Sequence, residues 1–197
     1  MCPAGDIQFI DDQYANLDTR TVEGFDVGFF FDWGTAVGDF RLRYNGSFLT
    51  TYEQKAGGES AILVAAQADG LIPSNYPIDG FANLVNRDGN QDQRHTFKLS
   101  WKNGPWGASF GGRRVGDFYQ SSLTLDDGTR YNIPAMSTYD GTIDYRFDHG
   151  ESDTRIRFGV KNMFDERAPL ADRYFGYNSD AHKDLGRNFY LDVRYRM

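Results

Sequence analysis

The sequence has a single cysteine, Cys2, so no internal disulfide can staple it. It has only 6 prolines, which leaves room for long uninterrupted strands. No run approaches the ~20 apolar residues of a membrane helix. A membrane barrel stays open, because its strands carry a much weaker hydropathy signal. Hydrophobic residues make up 40% of the chain, below the usual soluble range of roughly 45–50%. Basic residues are outnumbered, 21 Lys and Arg against 28 Asp and Glu, for a formal net charge of -7. Binding phosphate backbones calls for basic stripes, so no nucleic-acid partner is expected. Residues 1–6 have neither the basic nor the apolar segment of a secretory signal, so Cys2 is not expected to be a lipoprotein cysteine.

What is abundant is aromatic: 16 Phe and 12 Tyr in 197 residues, beside 22 Gly. The aromatics fall in an alternating pattern, clearest at 189–197. There Phe189, Leu191, Val193, Tyr195 and Met197 occupy every second position, and Asp192, Arg194 and Arg196 stand between them. A period of two means a strand with two different faces. The same reading gives strands at 20–33, 40–52, 93–102, 106–119, 137–148 and 154–163, with a weaker one at 7–14. One face is aromatic and aliphatic. The other carries Arg41, Arg43, Lys98, Lys102, Asp140, Asp144, Arg146, Arg155, Arg157, Lys161, Asp192, Arg194 and Arg196.

Short connections at 34–39, 103–105 and 148–153 alternate with long ones at 53–92, 120–136 and 164–186. The first long one runs to about 40 residues against roughly 4–6 for an ordinary loop. It holds Gly57-Gly58, Pro73, Pro77 and Asp-Gly pairs at Asp69, Asp79 and Asp88, all turn signals. Residues 61–68 read as a short helix or strand inside it. Antiparallel strands send alternate connections to opposite ends, so all long loops gather at one end. Short turns at one end and long loops at the other are the habit of outer-membrane barrels. Trp33, Trp101 and Trp106 all lie on the apolar face beside the short turns, with Phe40 and Phe147, as expected of an interfacial girdle. The fold class expected is therefore all-β: an antiparallel up-and-down transmembrane barrel segment of about eight strands, either part of a barrel or a small closed one.

No catalytic constellation emerges. No G-x-S-x-G elbow occurs, and Asp126-Asp127 belongs to turn chemistry. Asp88-Gly89-Asn90-Gln91-Asp92 starts like a calcium loop but lacks its glycine, with Gln93 in that place, and its closing Glu. His95, His149 and His182 show no ligand spacing. No enzyme activity, metal or cofactor is expected. The long-loop end is the candidate ligand surface: Tyr76, Phe81 and Asn83 on one loop, Arg173, Tyr174 and Tyr177 on another. Their aromatic and amide groups suit capture by stacking and hydrogen bonding.

The end of the chain carries a resemblance. Asn162-Met163-Phe164-Asp165, then some 20 residues of loop, then Gly186-Arg187 opening the last alternating strand, resembles the carboxyl-terminal end of TonB-dependent outer-membrane receptors. That family shows N-L-F-D near the end of its penultimate strand and G-R at the start of its final one. The likeness extends in strand-and-loop rhythm over nearly the whole chain. The family usually ends on Phe, and Met197 stands there instead.

The resemblance implies the carboxyl-terminal part of a receptor barrel in the outer membrane of a Gram-negative cell, taking up a siderophore, oligosaccharide or similar nutrient. The family's barrel has about 22 strands and an amino-terminal plug. Residues 1–197 are then expected to be a single barrel segment without the plug. The implied partners are outer-membrane lipid, the missing plug and barrel portion, the barrel-assembly machinery, and TonB only through the plug. Phe189, Leu191, Val193, Tyr195 and Met197 would mark the barrel-closing strand. A self-contained eight-stranded structural or adhesive outer-membrane protein, and a soluble carbohydrate-binding β-protein, remain the alternatives at this point.

Overall fold

A computed structural model describes residues 18–197 except Asn75 and Pro77. The strand expected at 7–14 lies outside the described residues. The elements are β1 (Arg20–Thr35), β2 (Gly38–Gln54), α1 (Glu59–Ala68), β3 (Ala82–Asn83), β4 (Gln93–Asn103), β5 (Trp106–Val115), β6 (Phe118–Thr124), β7 (Arg130–Ile133), β8 (Met136–Asp148), β9 (Asp153–Lys161) and β10 (Asn188–Arg196). Seven long strands pair antiparallel in the order β1-β2-β4-β5-β8-β9-β10, with two-residue β3 added to β2, making one eight-stranded sheet. β6 and β7 form a separate two-stranded sheet.

The register keeps each face pure. Phe31 pairs Leu42, Leu42 pairs Leu99, Leu99 pairs Phe110, and further across Ile143 pairs Phe158 and Phe158 pairs Leu191. Directly opposite residues share a face, so one apolar surface runs unbroken from β1 to β10. No element among the described residues covers it: Phe29, Phe31, Ile143, Phe158, Leu191 and Val193 are all exposed. The six buried hydrophobic residues among those described are Leu84, Val115, Phe118, Ile133, Met136 and Ala181, and they gather at the long-loop end of the sheet. A soluble sandwich hides its apolar face between sheets. This sheet presents it outward.

The opposite face is held by cross-strand ion pairs. Arg41 donates to Asp32 through Nε and Nη2 at 2.8 and 3.0 Å. Arg155 grips Asp144 in the same two-pronged way at 2.9 and 2.7 Å, and Arg157 stands 3.6 Å from that carboxylate. The planar fork of arginine suits such pairs. On β9, Gly159 leaves the space that the ring of Tyr190 fills from β10. A Cβ there would lie 2.2 Å from Tyr190 Cζ.

At the short-turn end, Trp33 stacks on Phe40 at 5.2 Å and Trp106 meets Tyr145 edge-on at 4.7 Å. Trp101 Nε1 donates to the Val37 carbonyl at 2.7 Å. A second aromatic row, which the sequence reading did not draw out, lies toward the long loops. Phe25 stacks on Phe48 at 4.9 Å, and Phe110 on Tyr139 at 5.8 Å. Tyr44 Oη and His95 Nδ1 share a hydrogen bond of 2.8 Å in that row.

Two open alternatives are settled and two expectations change. Among the described strands no ladder joins β1 to β10, so the sheet is an open barrel part and not a small closed barrel. An eight-stranded interior is just wide enough for side chains, and this charged face would overfill it. The strand expected at 106–119 ends at Val115, where Gly116 donates to the Gln93 carbonyl at 3.0 Å and the chain leaves the wall. The connection expected at 120–136 holds the β6–β7 hairpin. Residues 61–68 belong to α1, where four alanines favour the helix over a strand.

Arginine at an outward midstrand position should cost about 2–4 kcal/mol of barrel stability, clearly more than the same substitution on the inner face, where the side chain never meets hydrocarbon. Ile143→Arg and Asn45→Arg, compared in the intact protein by denaturant titration in lipid vesicles, should show that gap. Equal costs would contradict the assignment of faces.

Candidate functional site

The long connections between β2 and β4, between β5 and β8, and between β9 and β10 meet at one end of the sheet. They form a packed ledge. Its apolar centre is Val115, Phe118, Ile133 and Ala181, with Tyr131 and Ala171 against them. His182, only 2% exposed, stacks on Phe118 at 5.8 Å and 14°.

Polar side chains lock the loops to one another. Gln120 donates from Nε2 to the Asp172 carbonyl at 2.7 Å and accepts from Asp172 N at 2.8 Å, clamping β6 to the β9–β10 connection. Asp88, with φ 50°, accepts from Ser121 N at 2.9 Å and Ser121 Oγ at 2.6 Å, clamping the β2–β4 connection to β6. Arg87, buried beside it, pairs with Asp79 and Asp88. Burial opposes the charge on Asp88, yet the two Ser121 bonds and Arg87 hold its carboxyl below the ordinary range. Arg167 and the Ala168 N–H pull Asp184 down to about 2.

The end-of-chain motif has a clear local geometry. Asn162, at φ 49°, accepts from Glu166 N at 2.9 Å and donates to its carbonyl at 2.7 Å, turning the chain out of β9. Asp165 accepts from Arg187 N at 2.7 Å. Gly186 sits at φ 65°, and a Cβ there would come 3.0 Å from Asp165 Oδ1. Asn162 turns the chain out of β9, and Asp165 with the Gly-Arg pair ties the two ends of one loop together.

The candidate ligand residues divide into two places. Arg173, Tyr174, Phe175 and Tyr177 form a projecting tip, closed by Gly176 N donating to the Arg173 carbonyl at 2.8 Å. Tyr174 is 97% exposed and meets Phe175 edge-on at 5.0 Å. Tyr76 follows α1 on another loop, where its carbonyl accepts from Gln67 Nε2 at 2.8 Å. Asn83 lies on β3, and its Oδ1 accepts from Val85 N at 2.9 Å. Phe81 is half-buried just before β3. Among the described residues no aromatic contact links Tyr76 or Phe81 to the tip. The lock residues Gln120, Ser121 and Asp172 were missed, since nothing local in the sequence says which loop polar groups become buried. Asp88 spends its carboxylate on Ser121 and Arg87. Among the described residues no group of three or more His, Cys, Asp or Glu side chains is placed to hold a metal ion.

A family model described as TonB dependent receptor-like, beta-barrel matches residues 2–163. That covers more than half of the chain and stops before the loop and final strand. No curated protein matches the sequence.

His182 generates a pH test. Burial, with Arg113 on β5 and Arg94 on β4 nearby, holds its pKa below the ordinary imidazole value. The neutral ring is therefore the one that packs. Its stabilisation is complete above about pH 6.5 and is lost as pH falls below that. Asp184 acts only lower, between about 3.9 and 2. Hydrogen-exchange protection in residues 170–184, taken relative to the intrinsic exchange rate at each pH, should fall between pH 7.5 and 5.5 in the wild type but not in His182→Phe. An equal acid response in both would contradict this.

Proposed function

The chain belongs to the TonB-dependent receptor β-barrel family, and on that premise we propose that it forms part of the wall and outer loops of a nutrient receptor in a Gram-negative outer membrane. The family consists of outer-membrane receptors that transport rather than catalyse. The observation that carries the reading is the uncovered apolar face, together with the outer sides of β1 and β10, which pair with no strand among the described residues. A bilayer core tolerates neither an open edge nor an unpaired backbone group. These strands thus call for neighbours from the rest of a larger barrel. β10 would serve as a closing strand, with Phe189, Leu191, Val193 and Tyr195 toward lipid and Met197 just past its end.

Trp33, Trp101 and Trp106 would mark the periplasmic interface, since short turns lie on that side in such barrels. The ledge would then face outward to the medium. The aromatic tip at Tyr174, Phe175 and Tyr177 is the first ligand-contacting candidate, because nothing in the ledge uses those rings. Tyr76, Phe81, Asn83 and Arg173 would be secondary contacts. Energy coupling through TonB would reach this segment by way of the plug, and insertion would use the barrel-assembly machinery.

The test is uptake by cells with and without the intact protein, offered a panel of labelled iron chelates and oligosaccharides. Tyr174→Ala with Phe175→Ala is expected to lower the identified uptake at least tenfold while the amount in the outer membrane stays constant. Unchanged uptake would remove the tip from the site. Uptake that persists when TonB is removed would overturn the receptor reading.

A further inference from the structure

The outward face of the sheet is almost free of charge. From the short turns up to the row of Phe25 and Phe48, its positions on the seven long strands hold no Asp, Glu or Lys. They hold two arginines, Arg114 on β5 and Arg187 just before β10. Register places Arg114 outward. It pairs with His95 on β4 and Ser137 on β8, one outward position beyond Gly112, where a Cβ would meet Phe97 and Tyr139. Arg187 lies over the outward ring of Phe189, 5.9 Å from its centroid.

The two stand at one height. Arg114 is about 27 Å along its strand from Trp106, and Arg187 about 27 Å from Tyr195, at roughly 3.4 Å per residue. At a tilt of roughly 40° this is about 20 Å of height, and the apolar band of a barrel is roughly 25 Å tall. The tryptophans beside the short turns mark one boundary of that band. The arginines mark the other, on the side of the long loops. An arginine facing hydrocarbon is costly, and the cost fades toward the interface, where a long side chain lifts its charged head to the headgroups.

The protein offers these guanidinium groups little. Both side chains are exposed, and no ion pair among the described residues uses either. Beside Arg114, the ring nitrogens of His95 are both engaged, with Tyr44 Oη at 2.8 Å and Gln93 Oε1 at 3.0 Å. Arg187 Nη1 reaches the Met163 carbonyl at 3.5 Å. The outward acids Glu23 and Glu53 stand farther out, past the bulge between β1 and β2, and Thr51 Oγ1 donates to Glu23 at 3.0 Å. A guanidinium presents a planar fork of donors that matches phosphate oxygens. Two such forks at the height where headgroups begin fit the anions of the lipid itself.

We propose that Arg114 and Arg187 bind phosphate-bearing lipid headgroups of the outer leaflet, each guanidinium taking one phosphate and anchoring the sheet at that rim. The proposal rests on the bilayer placement above and adds the chemistry of the lipid.

The test uses the intact protein in vesicles, with its other cysteines replaced by serine and a fluorophore on one introduced cysteine. Ser137→Cys reports beside Arg114, Val160→Cys beside Phe189 and Arg187, and Phe147→Cys at the short-turn rim. Brominated phosphatidic acid is compared with brominated phosphatidylcholine, whose phosphate is masked by its own ammonium group. Phosphatidic acid should associate at least threefold more strongly at positions 137 and 160, read from quenching, and equally at 147. Arg114→Gln should abolish the preference at 137, and Arg187→Gln that at 160, so one site remains a test where the other variant misfolds. Equal quenching by the two lipids at 137 or at 160, or a preference that survives the substitutions, overturns the proposal. In that case quenching by both lipids at 147 leaves the bilayer placement standing. An absence of quenching at every position overturns both.

Discussion

In hydrocarbon, each backbone N–H or C=O without a partner costs several kcal/mol, because no water can replace it. The whole wall follows from that constraint. Seven long strands hydrogen-bond in sequence order except where the small β3 and the β6–β7 hairpin branch off at the loop end. Each inner strand of the path is paired on both sides, and β1 and β10 each pair on one side among the described residues. Strict pairing also fixes the faces. A shift by one residue would turn Leu99 inward and Lys98 toward lipid, so the alternation pins the register as firmly as the hydrogen bonds do.

The two ends of the sheet solve different problems. At one end the turns are tight, and Trp33, Trp101 and Trp106 cluster there on the apolar face. At the other end the chain builds its own small interior. Phe118, Ile133 and Ala181 are buried there, although the wall beneath has no covered core. Polar clamps such as Gln120 to Asp172 and Asp88 to Ser121 hold the loops in one arrangement. The tip at Tyr174 stands clear of that packing. A rigid ledge with exposed rings loses little conformational entropy when a ligand settles on it. This division of labour agrees with a receptor whose wall is passive and whose loops make the contacts.

The wall was legible in the sequence because alternation is a local signal. Each long strand from β1 to β10 shows in the spacing of residues such as Phe29, Phe31 and Trp33 or Tyr139, Ile143 and Tyr145. The strand end at Val115 was not, since Phe118 continues an apolar pattern while belonging to the ledge. The ledge itself was illegible for a related reason. Gln120, Gln91 and His182 look like ordinary loop polarity, and only the packing of three distant loops buries them. The closing motif sits between these cases. Asn162, Asp165 and Gly186 were readable as a pattern, while their roles as turn, acceptor and close neighbour needed coordinates.

The central claim is that this sheet stands in a bilayer with its aromatic face to lipid and its charged face to the lumen. Cys2 is the only cysteine in this sequence; with it and any cysteine elsewhere in the intact protein replaced by serine, single cysteines would be placed along β8. Each would be labelled with a fluorophore in the intact protein and read in vesicles containing brominated lipid. Positions 139, 141, 143, 145 and 147 should be quenched by the lipid, and positions 138, 140, 142, 144 and 146 should not. Uniform quenching, or the opposite alternation, would contradict the account.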